Sequence, residues 1–406
     1  STKRLLTVSQ LERLRDQQLP LQLIQGSELR GRLLNYAATD EETKRVSVDT
    51  IFGLENSFKV WFGQQQALLD PAFMATKREE EAELRAAVAA DPAQSIGDPW
   101  AELEAVDAVA RDLFLPYYQL ESRAGGGSTL YAIGRAIARA GISRAAPGST
   151  ITEAQLAGFA DRVGAEIPIY EGIEEIQLTF WLSKTREYLT VDNPAVQALL
   201  GKESPEALAE RLIANTRLND PEFRRQAVMM TPEEMAAADP LLALIIANND
   251  NAVAAATAWE AGVTAPTAQA AERIAQARFA VYGTDQYPDA TFSLRLSYGQ
   301  VKGWSYRGVD IPPFTYMGGL FDRATGSEPF NAAPRFLAAR DRIDPTTVYD
   351  FVSTNDIIGG NSGSPVINAK GEVIGAAFDG NIHSLGGSFG YDGNLNRTVT
   401  VSTAAI

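Results

Sequence analysis

The feature that most constrains this chain is a change of pattern near Gly283. Up to residue 282, stretches rich in Ala, Leu, Glu and Arg carry apolar residues at three- and four-residue spacing, the mark of amphipathic helices. Lys77–Ala90, Trp100–Leu120, Ser128–Ala140, Glu153–Val163, Pro205–Thr216 and Val253–Tyr282 read this way, with Asp-Pro and similar breaks between them. Beyond that point 17 of the 33 glycines crowd into the last 124 residues. Alternation also replaces the helical period: Thr291–Tyr298 sets Phe292, Leu294, Leu296 and Tyr298 on one face and Ser293, Arg295 and Ser297 on the other, which predicts a half-buried strand. The expected class is α+β, with an α-helical domain over 1–282 and a β-rich domain over 283–406.

Charge and rare residues remove several chemistries. The chain has 51 acidic and 36 basic residues, a net charge of −15, so nucleic acid is excluded as a general partner. Only 12 acidic and 9 basic residues lie in the last 124, so the excess belongs to the helices, where it reads as a solvated face. One histidine and no cysteine cannot furnish a zinc or iron–sulfur site, a disulfide or a thiol nucleophile, and no metal or cofactor is expected. No unbroken run of about 18 apolar residues is seen, so no membrane span is expected. Ser1-Thr2-Lys3-Arg4 shows no targeting signal. Gly125-Gly126-Gly127-Ser128 lacks the lysine and the preceding strand of a phosphate loop, and is read as a loop ending in a helix N-cap at Ser128.

The chemistry lies near the end, in Thr354–Gly380. Gly360-Asn361-Ser362-Gly363-Ser364-Pro365 places a serine between glycines, as a nucleophile on an exposed tight turn requires. In such a turn the N–H groups of Gly360 and Ser362 converge into an oxyanion hole, whose donors contribute about 3 kcal/mol each. Val366-Ile367, the turn Ala369-Lys370-Gly371 and Val373–Phe378 follow, so the serine leads into a β-hairpin. An α/β-hydrolase elbow would lead into a helix and end its motif in glycine, whereas here Ser364 and Pro365 follow. The chymotrypsin-type order of glycine, acid or amide, serine, glycine, small residue and proline fits every position. The bland alternative for Ser362 is a structural turn serine.

GGNSGSPV with FDGN starting sixteen residues after its Ser362, ENSFK in the helical part and YPDATFSLRLSYG at the helix-to-sheet junction together resemble the bacterial dipeptidyl peptidase 7 and 11 family. The resemblance implies a chymotrypsin-like double β-barrel with an inserted helical domain, and release of dipeptides from peptide N-termini. It makes Ser362 the nucleophile and Gly360 an oxyanion-hole donor. Asp379 would bind the substrate's free α-amino group, and Asn56 in Glu55-Asn56-Ser57-Phe58-Lys59 would share that contact. Gly380 would line the S1 pocket, where acid-specific members carry arginine, so a hydrophobic or aromatic P1 is expected. The ordinary readings are a turn aspartate for Asp379 and a polar helix-face residue for Asn56. Asp356, six residues before Ser362, supports a rival trypsin-like reading with a basic P1.

The resemblance also implies a triad in which His and Asp precede Ser. The single histidine, His383, follows Ser362 by 21 residues and reads as a loop or pocket-rim residue rather than the base. The 406 residues are therefore expected to be the helical domain and second barrel of a larger peptidase, inactive by themselves. The expected partners are peptides with a free N-terminus, and the family's usual setting is the periplasm or cell surface, with some members homodimeric. An endopeptidase and a non-catalytic peptide-binding module are the other readings.

Overall fold

The computed structural model describes residues 2–91, 96–283, 294–327 and 330–406. They form two compact units. One comprises Leu21–Phe58 and Ser95–Ala277; the other comprises Ser1–Pro20, Lys59–Gln94 and Arg278–Ile406.

The first unit is helical, and its helices start where the sequence breaks. Asn193, Ser204, Asp220, Thr231 and Asp239 each accept a backbone N–H of the following first turn, and each is followed by proline at the first helical position. A side-chain acceptor and a residue with no N–H of its own together settle two of the orphan donors of a helix start. The core lies among the helices Thr129–Ala145, Glu171–Leu189, Pro221–Val228 and Pro240–Trp259, around Leu130, Ile137, Leu178, Trp181, Phe223 and Leu242. The helical run Pro240–Tyr282 is long and apolar enough by composition to cross a membrane. Leu241, Leu242, Ile245 and Ala252 give that character a second use, since they are buried in this core.

The glycine loop at 125–127 ends as expected in an N-cap, with Ser128 Oγ accepting the Tyr131 N–H at 3.0 Å. The anion position at this helix start is filled from within. Buried Glu174 accepts the Thr129 N–H at 3.1 Å, the Leu130 N–H at 3.0 Å and the Ser128 hydroxyl at 2.5 Å. Gly126, at φ +63°, has no room for a side chain, because a Cβ would lie 2.6 Å from the Gln177 carbonyl oxygen.

The second unit holds the β-structure: β1 (Trp304–Tyr306), β2 (Val309–Ile311), β3 (Phe314–Tyr316), β4 (Val348–Ser353), β5 (Pro365–Ile367), β6 (Val373–Gly380) and β7 (Thr398–Ser402). β1 and β2 form a hairpin, and the other strands make one antiparallel sheet in the order β3-β4-β7-β6-β5. This sheet is open, with β3 and β5 as its edges, and no closed barrel forms among the described residues. The helical and β-rich stretches of sequence do not coincide with the two units, because segments before residue 94 pack on the C-terminal part. Phe389 is buried with Leu11, Leu19, Leu68 and Met74, and the Ala67 Cβ sits where a side chain on Gly386 would go.

The strand expected over Thr291–Tyr298 is corrected where it can be seen. Residues 291–293 fall outside the described residues, and 294–298 have no strand pairing. Leu294, Leu296 and Tyr298 are exposed. At Ser297 the hydroxyl donates to the Asp356 carbonyl at 3.0 Å and the carbonyl accepts the Asn355 amide at 2.8 Å. Alternation marks two faces, but a strand also needs a neighbour that uses its backbone and covers one of them.

Candidate active site

Ser362 stands on the turn that enters β5. Asn361 closes this turn, its N–H donating to the Ile358 carbonyl and its side-chain oxygen accepting the Ile358 N–H, both at 3.2 Å. Gly360 at φ +101° and Gly363 at φ +84° occupy backbone conformations that favour glycine. The turn is fixed to β6 by the Gly363 N–H on the Ala377 carbonyl at 2.7 Å and the Ala377 N–H on the Ser364 carbonyl at 2.9 Å. Ser362 is exposed, and its hydroxyl lies 3.4 Å from the Phe378 carbonyl. Among the described residues, the N–H groups of Gly360 and Ser362 donate to no protein acceptor.

Asp379 follows Phe378 at an irregularity in the pairing of β6 with β7. One carboxylate oxygen, Oδ1, accepts the Gly380 N–H at 2.8 Å, and the other is ion-paired with the ammonium of Lys59. Neither sequence pattern nor resemblance had singled out Lys59, although it lies three residues after Asn56 in the same quoted segment. Asn56 belongs to the helical unit and is exposed on the helix Glu41–Leu69.

Gly380 ends β6, facing the short helical turn Ile382–Ser388. A Cβ here would lie 2.7 Å from Ser384 Cβ. Ser384 has little freedom: its hydroxyl lies 2.9 Å from Asn381 Oδ1 and 3.0 Å from the Arg397 carbonyl, and accepts the Arg397 N–H at 2.9 Å. Arg397 is itself buried, and donates to the carbonyls of Lys302, Gly303, Gly393, Asn394 and Asn396. Bonding to neutral carbonyls satisfies the guanidinium without a counter-ion.

Asp356 is not open to a cationic side chain. Arg4 grips its two oxygens at 2.6 and 2.8 Å and also donates to the Gly387 carbonyl. This hydrogen bonding holds the Arg4 pKa above its ordinary value. Sequence reasoning missed Arg4 because 352 residues separate the partners.

His383 packs edge-on to the Tyr306 ring, centroids 4.6 Å apart, with a buried Nε2 that has no hydrogen-bond partner among the described residues. Burial pushes its pKa below the ordinary imidazole value, a shift that Asp392 partly opposes. It makes no hydrogen bond to Ser362, whose hydroxyl partner is the Phe378 carbonyl. A separate hollow of about 770 Å³ beside the paired strands β3 and β4, lined by Tyr316, Arg323, Phe330, Tyr349 and Asp350, contains none of the expected site residues. Among the described residues, no three His, Asp or Glu side chains group as metal ligands would.

Residues 1–406 match Peptidase S46 over their whole length. The chain belongs to the Peptidase S46 family. The S46 chain is 41% identical to Dipeptidyl-peptidase 7 of Phocaeicola vulgatus, over 28% of this chain and 17% of that protein. It is 38% identical to the Asp/Glu-specific dipeptidyl-peptidase of Porphyromonas gingivalis, over 29% and 18%. The crystal structure of Porphyromonas endodontalis DPP11 in complex with the dipeptide Arg-Glu shares its fold at a TM-score of 0.76 and 19% identity, covering 99% of the S46 chain and 60% of that one. The S46 chain therefore spans 60% of the length of that structure, and the likeness confirms helices with small antiparallel sheets.

Proposed function

We propose that the complete protein is a serine dipeptidyl peptidase, with Ser362 as nucleophile and the N–H groups of Gly360 and Ser362 as oxyanion donors. One observation carries the reading: the Ser362 hydroxyl touches the carbonyl of Phe378, and the next residue is Asp379, already carrying an ammonium. A carboxylate that holds a positive amine beside the nucleophile counts residues from a peptide's N-terminus. An internal peptide segment offers no charge to meet it, which favours dipeptide release over endopeptidase action.

The reaction follows from these positions. The Ser362 oxygen attacks the carbonyl of the second residue and the oxyanion accepts the two N–H groups; the bond to the third residue then breaks, its amine leaving with the proton taken from Ser362, and water hydrolyses the acyl-enzyme to release the dipeptide and restore the hydroxyl. A base must accept the hydroxyl proton. His383, half-buried with its Nε2 covered and its ring against Tyr306, and unbonded to Ser362, is not suited to it, so we assign the base and its orienting carboxylate to residues outside this chain. The open sheet is then one wall of a chymotrypsin-like double barrel.

Gly380 leaves the S1 wall without a cation, and Ser384 crowds any side chain there, which supports a hydrophobic or aromatic P1. Arg4 on Asp356 speaks against a basic P1. The role of Asn56, a periplasmic or cell-surface location and a homodimer rest on the resemblance alone; Asn56→Ala kinetics, cell fractionation and light scattering test them.

The deciding experiment uses full-length protein and fluorogenic dipeptides with Leu, Asp or Lys at P1, free or N-acetylated. Free Leu substrates should be preferred, and Ser362→Ala should abolish their release. Activity retained by Ser362→Ala, or equal cleavage of acetylated substrates, would remove the reading; a preference for Asp would move only its P1 assignment.

A further inference from the structure

We infer that Lys59 is a tethered occupant of the amino-end site, a positioning residue whose ammonium the substrate's own α-ammonium must displace. The inference rests on the reading of Asp379 as the α-amino anchor.

The lysine head group and a peptide's N-terminus are chemically alike, each a compact cation with three N–H donors. Asp379 has one oxygen turned to the Gly380 N–H and the other on Lys59. An incoming ammonium therefore seeks the oxygen already taken and meets a like charge beside it. Release of Lys59 is also easy. The two side chains are 43% and 36% exposed, so the contact is screened by water and weak. The lysine stem is flexible, and its head group is readily rehydrated. Among the described residues Asp379 is the only ion-pair partner of Lys59.

Occupancy of this kind does two things. It keeps a half-exposed carboxylate oriented between turnovers, and it sets a modest threshold that a cationic N-terminus crosses more readily than a neutral one. An acylated peptide brings no charge to exchange, so it leaves Lys59 seated. The lysine thus acts on selectivity for the amino end through Asp379, without touching the reacting atoms.

The test is steady-state kinetics on the full-length protein with a free-amino dipeptidyl substrate, together with calorimetry of dipeptide product binding. Lys59→Met should lower KM and the product Kd about 5-fold, which is about 1 kcal/mol at 1.4 kcal/mol per decade, with the change falling on KM rather than kcat. Lys59→Arg, which restores a cation, should return KM towards the wild-type value. Asp379→Asn should raise KM strongly, and Lys59→Met added to it should have no further effect, since nothing is left to compete for. A KM that rises or stays unchanged in Lys59→Met, while Asp379→Asn still impairs binding, would overturn the inference and leave the anchor reading standing. An unchanged KM in Asp379→Asn would overturn the anchor reading and the inference with it. Lys59→Gln is the second neutral variant, and either is read only after its melting curve matches the wild type.

Discussion

Gly380→Ala isolates one steric constraint at the candidate S1 wall. The added Cβ would sit 2.7 Å from Ser384 Cβ and 3.6 Å from the Arg397 carbonyl oxygen. Two carbons in comfortable contact are about 3.5–4 Å apart, so Ser384 must retreat by about 1 Å. A Cβ cannot rotate away, so the backbone of Ile382–Ser388 has to move. That turn is held by the Ser384 N–H on the Asn381 carbonyl at 2.9 Å and by the bonds of the Ser384 hydroxyl. Overpacking of this kind costs about 1–3 kcal/mol. At roughly 2–4 °C per kcal/mol for a unit of this size, Tm should fall by about 2–12 °C in differential scanning calorimetry. Ser384→Gly removes the opposing atom, so in the double variant the Gly380→Ala penalty should shrink by about 1 kcal/mol or more. Wild-type melting of Gly380→Ala, or an undiminished penalty in the Ser384→Gly background, would refute the steric account. In the full-length protein the same substitution should reduce turnover of hydrophobic P1 substrates.

Three further outcomes follow from named contacts. His383 has its pKa pushed down by burial, so the unfolded chain, near 6.5, takes up a proton before the folded one does; stability should decline as pH falls below about 6.5. His383→Gln should flatten that decline between about pH 7.5 and 5.5 in urea titrations, and an unchanged slope would exclude His383 as its source. Arg4→Ala leaves half-buried Asp356 without its bidentate partner, and should cost about 1–3 kcal/mol in chemical denaturation, with Arg4→Lys recovering part. Glu174→Ala strips the Ser128 hydroxyl and two N–H groups of their shared acceptor and should cost about 3 kcal/mol; a loss below 0.5 kcal/mol, within the usual noise of surface substitutions, would contradict the capping role.

The residues that sequence reading captured best are those whose chemistry is local. Each helix start with Ser, Thr, Asn or Asp before proline is read from two adjacent residues, because cap and first turn involve no distant partner. The glycine turn carrying Ser362 and the hairpin behind it are legible for the same reason: φ preferences and alternation act within a few residues. Gly360 and Gly363, the glycines expected of a tight turn, both take positive φ.

Composition was a poorer guide to which segments pack together. Glycine density changes near residue 283, yet Lys59–Gln94 groups with the C-terminal part. Helix formers describe how a segment coils, and the face it buries depends on what it meets. The alternation over 291–298 misled in the same way, since Leu294 and Leu296 are exposed and unpaired.

By itself, then, the sequence determined the two kinds of local structure, the family, and the serine on its glycine turn. Tertiary structure alone decided what the charged groups do. Asp379 meets Lys59 from 320 positions away and Asp356 meets Arg4 from 352 away. No local period encodes such pairs, because the free energy of an ion pair depends on distance and burial in the folded chain rather than on separation along it.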